Sequence, residues 1–145
     1  MTDADFMRRA LALGAQGVGR TGDNPSVGCV IVRDGVVVAE ARTADSGRPH
    51  AEEQAVALAD VRGATVYVTL EPCAKRSSGT ASCADRLIES GVARVVIAAD
   101  DPHPFAAGAG VERLRAAGVR VENGLLAEEA GAQNADFFRR WNGGR

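Results

Sequence analysis

The chain has 145 residues, of which 46% are hydrophobic and 25% are charged, and its formal net charge is −2. This length fits a single domain with a real core, and the composition is that of an average globular protein. The slightly acidic balance argues against a general nucleic-acid surface, although it allows a small anionic substrate held by local cations. Because no apolar run approaches ~20 residues and no signal peptide is recognisable, we expect a cytoplasmic protein without a membrane partner.

Helices and strands alternate along the first half of the sequence. Helical spacing of apolar residues predicts a first helix from Asp3 to about Ala15. Two β-branched runs follow at residues 27–32 and 36–41, and the "RDG" stretch between them predicts a tight antiparallel hairpin. A loop then leads to a second helix, which is predicted over residues 50–60.

The second half of the sequence continues this alternation. Strands are predicted at residues 63–70, 94–100 and 119–124, with helices at 84–90, 111–118 and 126–141. Because helices separate the last three strands, parallel crossovers are expected there, whereas the two hairpin strands pair antiparallel. The predicted fold class is therefore α/β, a three-layer α/β/α sandwich with a mixed five-stranded sheet, in one domain over residues 1–145.

Three potential metal ligands lie where predicted strands end or helices begin. His50 starts the second helix, Cys73 follows the third strand, and Cys83 begins the third helix. Open α/β sheets usually bind ligands at this edge, and helix N-termini favour thiolates there. One imidazole and two thiolates leave the fourth position of a zinc ion open for water, as in catalytic sites. Reduced cytoplasmic thiols and an odd total of three cysteines both disfavour a disulfide.

Glu52 is the predicted proton carrier of this site. It lies two residues after His50 on a helix, so it points beside the metal rather than at it. A zinc ion with two thiolates and a neutral imidazole acidifies its water only moderately, so an added base is useful. Glu52 can take a proton from that water and deliver it to a leaving amine. The general signature of zinc deaminases is His-x-Glu followed by Pro-Cys-x-x-Cys, and this chain departs from it in having nine residues, rather than two, between Cys73 and Cys83.

With those residues placed, the chain resembles the cytidine-deaminase-like superfamily, and within it the deaminase half of the bifunctional deaminase/reductases of riboflavin biosynthesis. The similarity runs from about Asp5 to the C-terminus, and its most particular blocks are Asn24–Gly28 and Asp101–Pro104. It implies hydrolytic deamination of a diamino-ribosylamino-pyrimidinone 5′-phosphate by zinc-bound hydroxide, in a homo-oligomer (dimer or larger) whose chain lacks the reductase domain. The implied site residues are the zinc ligands His50, Cys73 and Cys83 and the proton shuttle Glu52.

The resemblance also implies substrate contacts. Asn24 is expected to hydrogen-bond the pyrimidine ring, and the backbone N–H of Ala51 is expected to bind the ring carbonyl. Lys75 and Arg76 are candidate phosphate ligands, with solvated loop charges as the alternative. His103 is either a wall of the pocket or an exposed loop residue. Three aromatic side chains at helical spacing are predicted to pack rather than to stack on substrate: Phe137, Phe138 and Trp141.

Three positions depart from the common pattern of that family, and they leave other functions open. Thr43 and Lys75 stand where a His is frequent, and Ala109 stands where a loop cation is frequent. A second hypothesis is therefore the same chemistry on another aminated heterocycle, such as a nucleobase, a nucleoside or a guanine-like ring. A third is a non-catalytic binding module with structural zinc, which needs a fourth ligand from Cys29 or His103. Cys29 is otherwise predicted to be a core thiol.

Overall fold

The computed structural model describes residues 1–74, 82–102 and 107–141. In this part of the chain, no helix is long and apolar enough to cross a membrane. In chain order, the elements are α1 (Asp3–Gly17), β1 (Gly28–Arg33), β2 (Val36–Arg42), a 3-10 turn (Asp45–Gly47), α2 (Ala51–Val56), β3 (Thr65–Leu70), α3 (Cys83–Glu89), β4 (Arg94–Ala99), α4 (Ala109–Ala116), β5 (Arg120–Asn123), α5 (Ala127–Gln133) and α6 (Ala135–Trp141).

The strands form one mixed sheet of five in the order β2-β1-β3-β4-β5. β1 pairs antiparallel with β2 and with β3, whereas β3, β4 and β5 run parallel, as the order of the predicted elements requires. The hairpin turn between β1 and β2 is made by Asp34 and Gly35, whose φ angles of 53° and 77° match the twist of the strands. The predicted hairpin and the predicted parallel strands are confirmed.

Helices cover both faces of the sheet. α1 packs on β1, β2 and β3 and touches α5, which packs on β4, while α2, α3 and α4 contact one another in sequence and pack against β1, β2 and β5. The two central parallel strands, β3 and β4, are buried at five of six positions each. Because parallel strands must be covered on both faces, these strands form the centre of the core, and Cys29 on β1 lies in that core with no exposed surface, as predicted.

Two predicted helices differ from the structure. The predicted helix over 126–141 is two helices, because Asn134 leaves the helical conformation with φ −116° and ψ 44°. Its side chain instead accepts a hydrogen bond from the N–H of Ser26 and donates one to its carbonyl oxygen, at 2.8 and 2.9 Å. The second helix ends at Val56 rather than at residue 60, because Ala57 and Leu58 donate to carbonyls three residues back.

Candidate active site

Three side chains that could hold a metal ion meet beside the end of β3, where α2 and α3 begin. One ligand atom from each of His50, Cys73 and Cys83 lies within 4.8 Å of the other two. Nδ1 of His50 is 3.3 Å from Sγ of Cys83. Bonds of about 2.0–2.3 Å in a tetrahedral zinc site separate the ligand atoms by about 3.5–3.8 Å. The three side chains therefore have the composition of a zinc-binding site and lie close enough together to share one ion.

The first turn of α3 is aimed at Cys73. The backbone N–H of Cys83 donates to Sγ of Cys73 at 3.2 Å, and the N–H of Ala84 donates to the Cys73 carbonyl at 3.0 Å. The hydrogen bond from the Cys83 side chain is the largest cause that lowers the pKa of the Cys73 thiol, with burial opposing it and His50 adding to it. The three cysteines form no disulfide. Because its pKa is lowered, the Cys73 thiol is prepared to act as a thiolate ligand.

Glu53 fixes the start of α2 and joins it to α3. Its Oε1 accepts a hydrogen bond from the N–H of His50 at 2.9 Å, and its Oε2 lies 3.6 Å from Nη2 of Arg86. The sequence analysis assigned no role to Glu53. A Glu three residues after the N-cap residue, which is His50 here, is nevertheless a known signal for the start of a helix. The cap holds the backbone of His50 in place, and therefore its ring.

Glu52 is buried beside the metal cluster, with 4% of its surface exposed. Burial is the largest cause that raises its pKa, to about 7. The charges of Cys73 and Glu53 also raise the pKa, while its own backbone N–H and His50 lower it. A carboxyl group with a pKa near neutrality can both accept and return a proton at working pH. Glu52 therefore lines the same cavity as His50 and Cys73, and its pKa suits a group that accepts and returns protons.

A cavity of about 180 Å³ opens onto the cluster. It is lined by Asn24 near the N-terminus, by Phe137 near the C-terminus, and by His50, Glu52 and Cys73 between them. A hydrogen bond from Asn24 to the substrate ring stays a prediction. Ala51 is fully buried. Because it is the first residue of α2, its backbone N–H has no acceptor within the helix. Lys75, Arg76 and His103 lie outside the described residues. The lining residues are Asn24, Pro25, Val27, Thr43, His50, Glu52, Leu70, Glu71, Cys73, Asp101 and Phe137.

Asn24 is held in the cavity wall by a tight turn and by a glycine. The hydroxyl of Thr21 donates to the Asn24 carbonyl at 2.7 Å, and the Asn24 N–H donates back to the Thr21 carbonyl at 3.2 Å. Gly47 packs against the amide, since an added Cβ there would lie 2.2 Å from Asn24 Nδ2, and its φ of +101° also favours glycine. A larger residue at position 47 would displace the Asn24 side chain.

Glu71, which sequence reasoning missed, is a second buried carboxylate in this cavity wall, with 4% of its surface exposed. Its position directly before Pro72-Cys73, at the end of an apolar strand, was the available signal. Gly110 on α4 packs against Pro72, because an added Cβ at Gly110 would lie 1.9 Å from the Pro72 carbonyl oxygen. The carboxylate of Glu71 accepts backbone hydrogen bonds at 3.0–3.2 Å from Asp101, Gly108, Gly110 and Val111.

Comparison with known proteins agrees with this geometry. Residues 1–99 match the family model for the cytidine and deoxycytidylate deaminase zinc-binding region. The chain belongs to this zinc-binding deaminase family. The match includes His50, Glu52, Cys73 and Cys83, and it ends before α4. The chain is therefore a hydrolytic deaminase.

Individual members of this family are similar to the chain over nearly its whole length. The deaminase is 52% identical, over 95% of its length, to riboflavin biosynthesis protein RibD of Actinobacillus pleuropneumoniae, of which it covers 37%. It is 41% identical to a diaminohydroxyphosphoribosylamino-pyrimidine deaminase of Buchnera aphidicola, with 99% of both chains covered. Its fold matches Acinetobacter baumannii RibD with a TM-score of 0.93 at 41% identity, over 98% of this chain and 40% of that chain. The deaminase thus spans about two fifths of the RibD chains.

Proposed function

We propose that this deaminase removes an exocyclic amine from a diamino-ribosylamino-pyrimidinone 5′-phosphate in riboflavin biosynthesis, acting as one domain over residues 1–145. The observation that carries the proposal is twofold: ligand atoms of His50, Cys73 and Cys83 lie within 4.8 Å of one another, and buried Glu52 lines one cavity together with His50 and Cys73. The similarity to the riboflavin biosynthesis protein of Actinobacillus and to the pyrimidine deaminase of Buchnera supports the substrate class and the pathway.

The donor set fits a catalytic zinc ion. His50, Cys73 and Cys83 would hold the ion, and zinc bound there would supply a nucleophile by lowering the pKa of a coordinated water. Three protein ligands leave one zinc position for that water. Cys29, a candidate fourth ligand for a structural site, is not part of the cluster that the described residues form.

In this proposal, Glu52 moves the protons of the reaction. It takes a proton as the nucleophile forms and delivers it to the departing amine, so that ammonia leaves as a neutral molecule. Asn24 and the backbone N–H of Ala51 bind the pyrimidine ring and orient its amine towards Glu52. Lys75 and Arg76 as phosphate ligands, and His103 as a pocket wall, stay predictions, because the structure does not describe them.

The direct test combines metal analysis with an ammonia assay. The purified chain should contain one zinc per chain and should release ammonia from the ribosylamino pyrimidinone phosphate. Cys83→Ser should lose most of the zinc and the activity, because it removes a ligand at the start of α3. Cys29→Ala is the matched control, since this core cysteine is not in the cluster. A metal-free but active parent chain would contradict the proposal.

One observation favours a second candidate, deamination of a different aminated heterocycle. Thr43 lines the cavity where a histidine is frequent in related deaminases, and only 2% of its surface is exposed. Its hydroxyl accepts the N–H of Val27 at 2.9 Å, so it is fixed in place. Activity on an unphosphorylated base, nucleoside or guanine-like ring, without activity on the phosphate, would favour this candidate.

Assembly as a dimer or larger stays a prediction, which light scattering can test.

A further inference from the structure

The cavity at the metal cluster adjoins a second depression. Asn24, Pro25 and Phe137 line both of them, whereas His50, Glu52 and Cys73 line only the first. Phe137 therefore lies where the two depressions adjoin. Among the described lining residues of the first cavity, it is the one with a benzene ring. An aromatic side chain is thus available in this cavity to a ring whose reacting carbon faces the candidate ligands.

The position of Phe137 depends on how α6 is attached to the N-terminal part of the chain. Asn134 makes two hydrogen bonds to the backbone of Ser26, and Nη1 of Arg140 donates to the carbonyl of Asp23 at 3.2 Å. Asn134, Phe137 and Arg140 line the second depression together with residues 23–25, so these three side chains share one side of the segment. That side therefore faces the 23–26 turn, which carries Asn24.

The neighbouring phenylalanine has a different environment. Phe138 is not among the residues that line the first cavity, although it is half-buried against the core, as Phe137 is. The two rings meet edge to face, with centroids 6.0 Å apart. Two adjacent residues of one type, similar in burial, thus differ in their access to the cavity, which makes Phe138 a natural control.

We propose that Phe137 is a specificity-determining residue, whose ring stacks on the heterocycle of the substrate, and that Asn134 is its positioning residue. The inference rests on the proposed function, because it assumes a flat aminated ring in this cavity. α6 lies outside residues 1–99, the part that matches the zinc-binding region of the family. A residue beyond the shared metal-binding part suits the choice of substrate rather than the common chemistry. The packing of Phe137 that the sequence predicted is confirmed, since its side chain packs against the core, and the proposal adds a contact with substrate.

Stacking predicts a specific kinetic pattern. Contact between an aromatic side chain and a base corresponds to about a tenfold or greater change in affinity. Phe137→Leu should therefore raise KM about tenfold while kcat changes less than about threefold. Phe137→Tyr keeps the ring and should restore KM to within about twofold of the parent. Phe138→Leu removes a ring of similar burial and should leave KM near the parent value.

Asn134→Ala tests the positioning role. It should raise KM in the same direction as Phe137→Leu, and the double variant should be no worse than Phe137→Leu alone, because both changes act through one ring. Zinc content should equal that of the parent in every variant. Equal KM effects of Phe137→Leu and Phe138→Leu, or an additive double variant, would overturn the proposal, since loosened packing would then explain the result.

The substrate for this experiment separates the inference from the proposed function. The parent chain is first assayed on the ribosylamino pyrimidinone phosphate, on cytidine and on 2,6-diaminopurine, and its fastest substrate is used for all variants. Failure on the phosphate in the parent chain counts against the proposed substrate only. Failure of stacking appears as an unchanged KM in Phe137→Leu on that fastest substrate. If Phe137→Leu does not fold, Phe137→Tyr decides, because a tenfold higher KM with the ring retained contradicts stacking.

Discussion

Two buried glutamates from different regions of the chain line the same cavity. Glu52 lies in the first turn of α2 and Glu71 follows the end of β3, and each has 4% of its surface exposed. The carboxylate of Glu71 accepts four backbone hydrogen bonds from the 101–111 segment. For Glu52, burial dominates and raises the pKa to about 7. Residue type and burial are therefore not enough to assign a role, whereas the supply of hydrogen-bond donors separates the two carboxylates.

The difference follows from what each region must do. Four N–H donors satisfy both oxygens of Glu71, so this carboxylate joins the start of α4 to the strand that leads into Cys73. A carboxylate engaged in this way is a structural anion. Glu52 has the opposite environment, because an under-solvated carboxylate gains from binding a proton. The same cavity thus contains one carboxylate suited to holding the backbone and one suited to moving protons.

The comparison predicts its largest effect at Glu52. Glu52→Gln should keep zinc and the fold, but should lower kcat by about 10²–10⁴-fold or more, because the amide cannot carry a proton. Steady-state ammonia release with parallel zinc analysis measures both quantities. Glu89→Gln, an exposed change on α3, is the control and should keep the parent kcat. A fast Glu52→Gln variant would refute the assigned proton carrier.

At Glu71 we expect a loss of stability instead. Glu71→Gln removes the charge and turns one oxygen into an NH₂ group that faces backbone N–H donors. Unsatisfied buried donors cost about 1–3 kcal/mol each, so the free energy of unfolding should fall by about 3 kcal/mol. Urea unfolding of the zinc-loaded proteins measures the difference, with Glu52→Gln as the comparison. Similar stability of the two variants would remove the distinction between the two carboxylates.

The pH dependence of the free energy of unfolding tests the environment of Glu52 independently of enzyme activity. A carboxyl whose pKa is raised from 4.5 to about 7 in the folded state favours folding when protonated. Its contribution is complete below pH 4.5 and is lost as the pH rises through about 7. In the metal-free protein, Glu52→Gln should therefore be as stable as the parent near pH 4, and more stable by about 1–3 kcal/mol near pH 8. Chemical unfolding at the two pH values tests this, and equal differences at both would contradict it.

Much of the site could be predicted from the sequence because its signals are local. Glu52 lies two residues from His50, and both cysteines lie beside the ends of elements that apolar periodicity reveals. The antiparallel hairpin and the parallel direction of the last three strands could be predicted in the same way, since helices separate those three strands. Helix N-termini then brought the ligands together. Motif and topology were sufficient to predict that these three candidate ligands lie together.

The parts that sequence reasoning missed depend on contacts between distant segments. Asn134 breaks the predicted final helix to bind Ser26, 108 residues away. Glu71 binds N–H groups 30–40 residues further along the chain. Nothing in the local pattern around Phe137 distinguishes a cavity wall from a packed helix face. Local propensity therefore describes elements well, and it fails where a side chain bonds the backbone of a remote loop.

A third carboxylate extends the comparison to the surface, where the smallest effect is expected. Asp3 on α1 lies 2.7 Å from Nη2 of Arg94, and 42% of its side chain is exposed. The hydrogen bond from Arg94 is the largest cause that lowers its pKa from 3.8 to about 2. Solvent screening limits such a pair, so Asp3→Asn should lower the free energy of unfolding by less than about 1 kcal/mol at pH 7.

The sign of the pH effect at Asp3 is opposite to that at Glu52. A depressed pKa stabilises the fold above 3.8, and this contribution disappears as the pH falls through about 2. The stability difference between the parent and Asp3→Asn should therefore shrink in acid, whereas the difference for Glu52→Gln grows towards alkaline pH. Urea unfolding at pH 3 and pH 7 measures it, with 0.5 M salt as a further condition that should reduce it. If salt leaves it unchanged, Asp3 is buried more effectively than its exposure indicates, and carboxylate environment then matters at the surface as it does in the cavity.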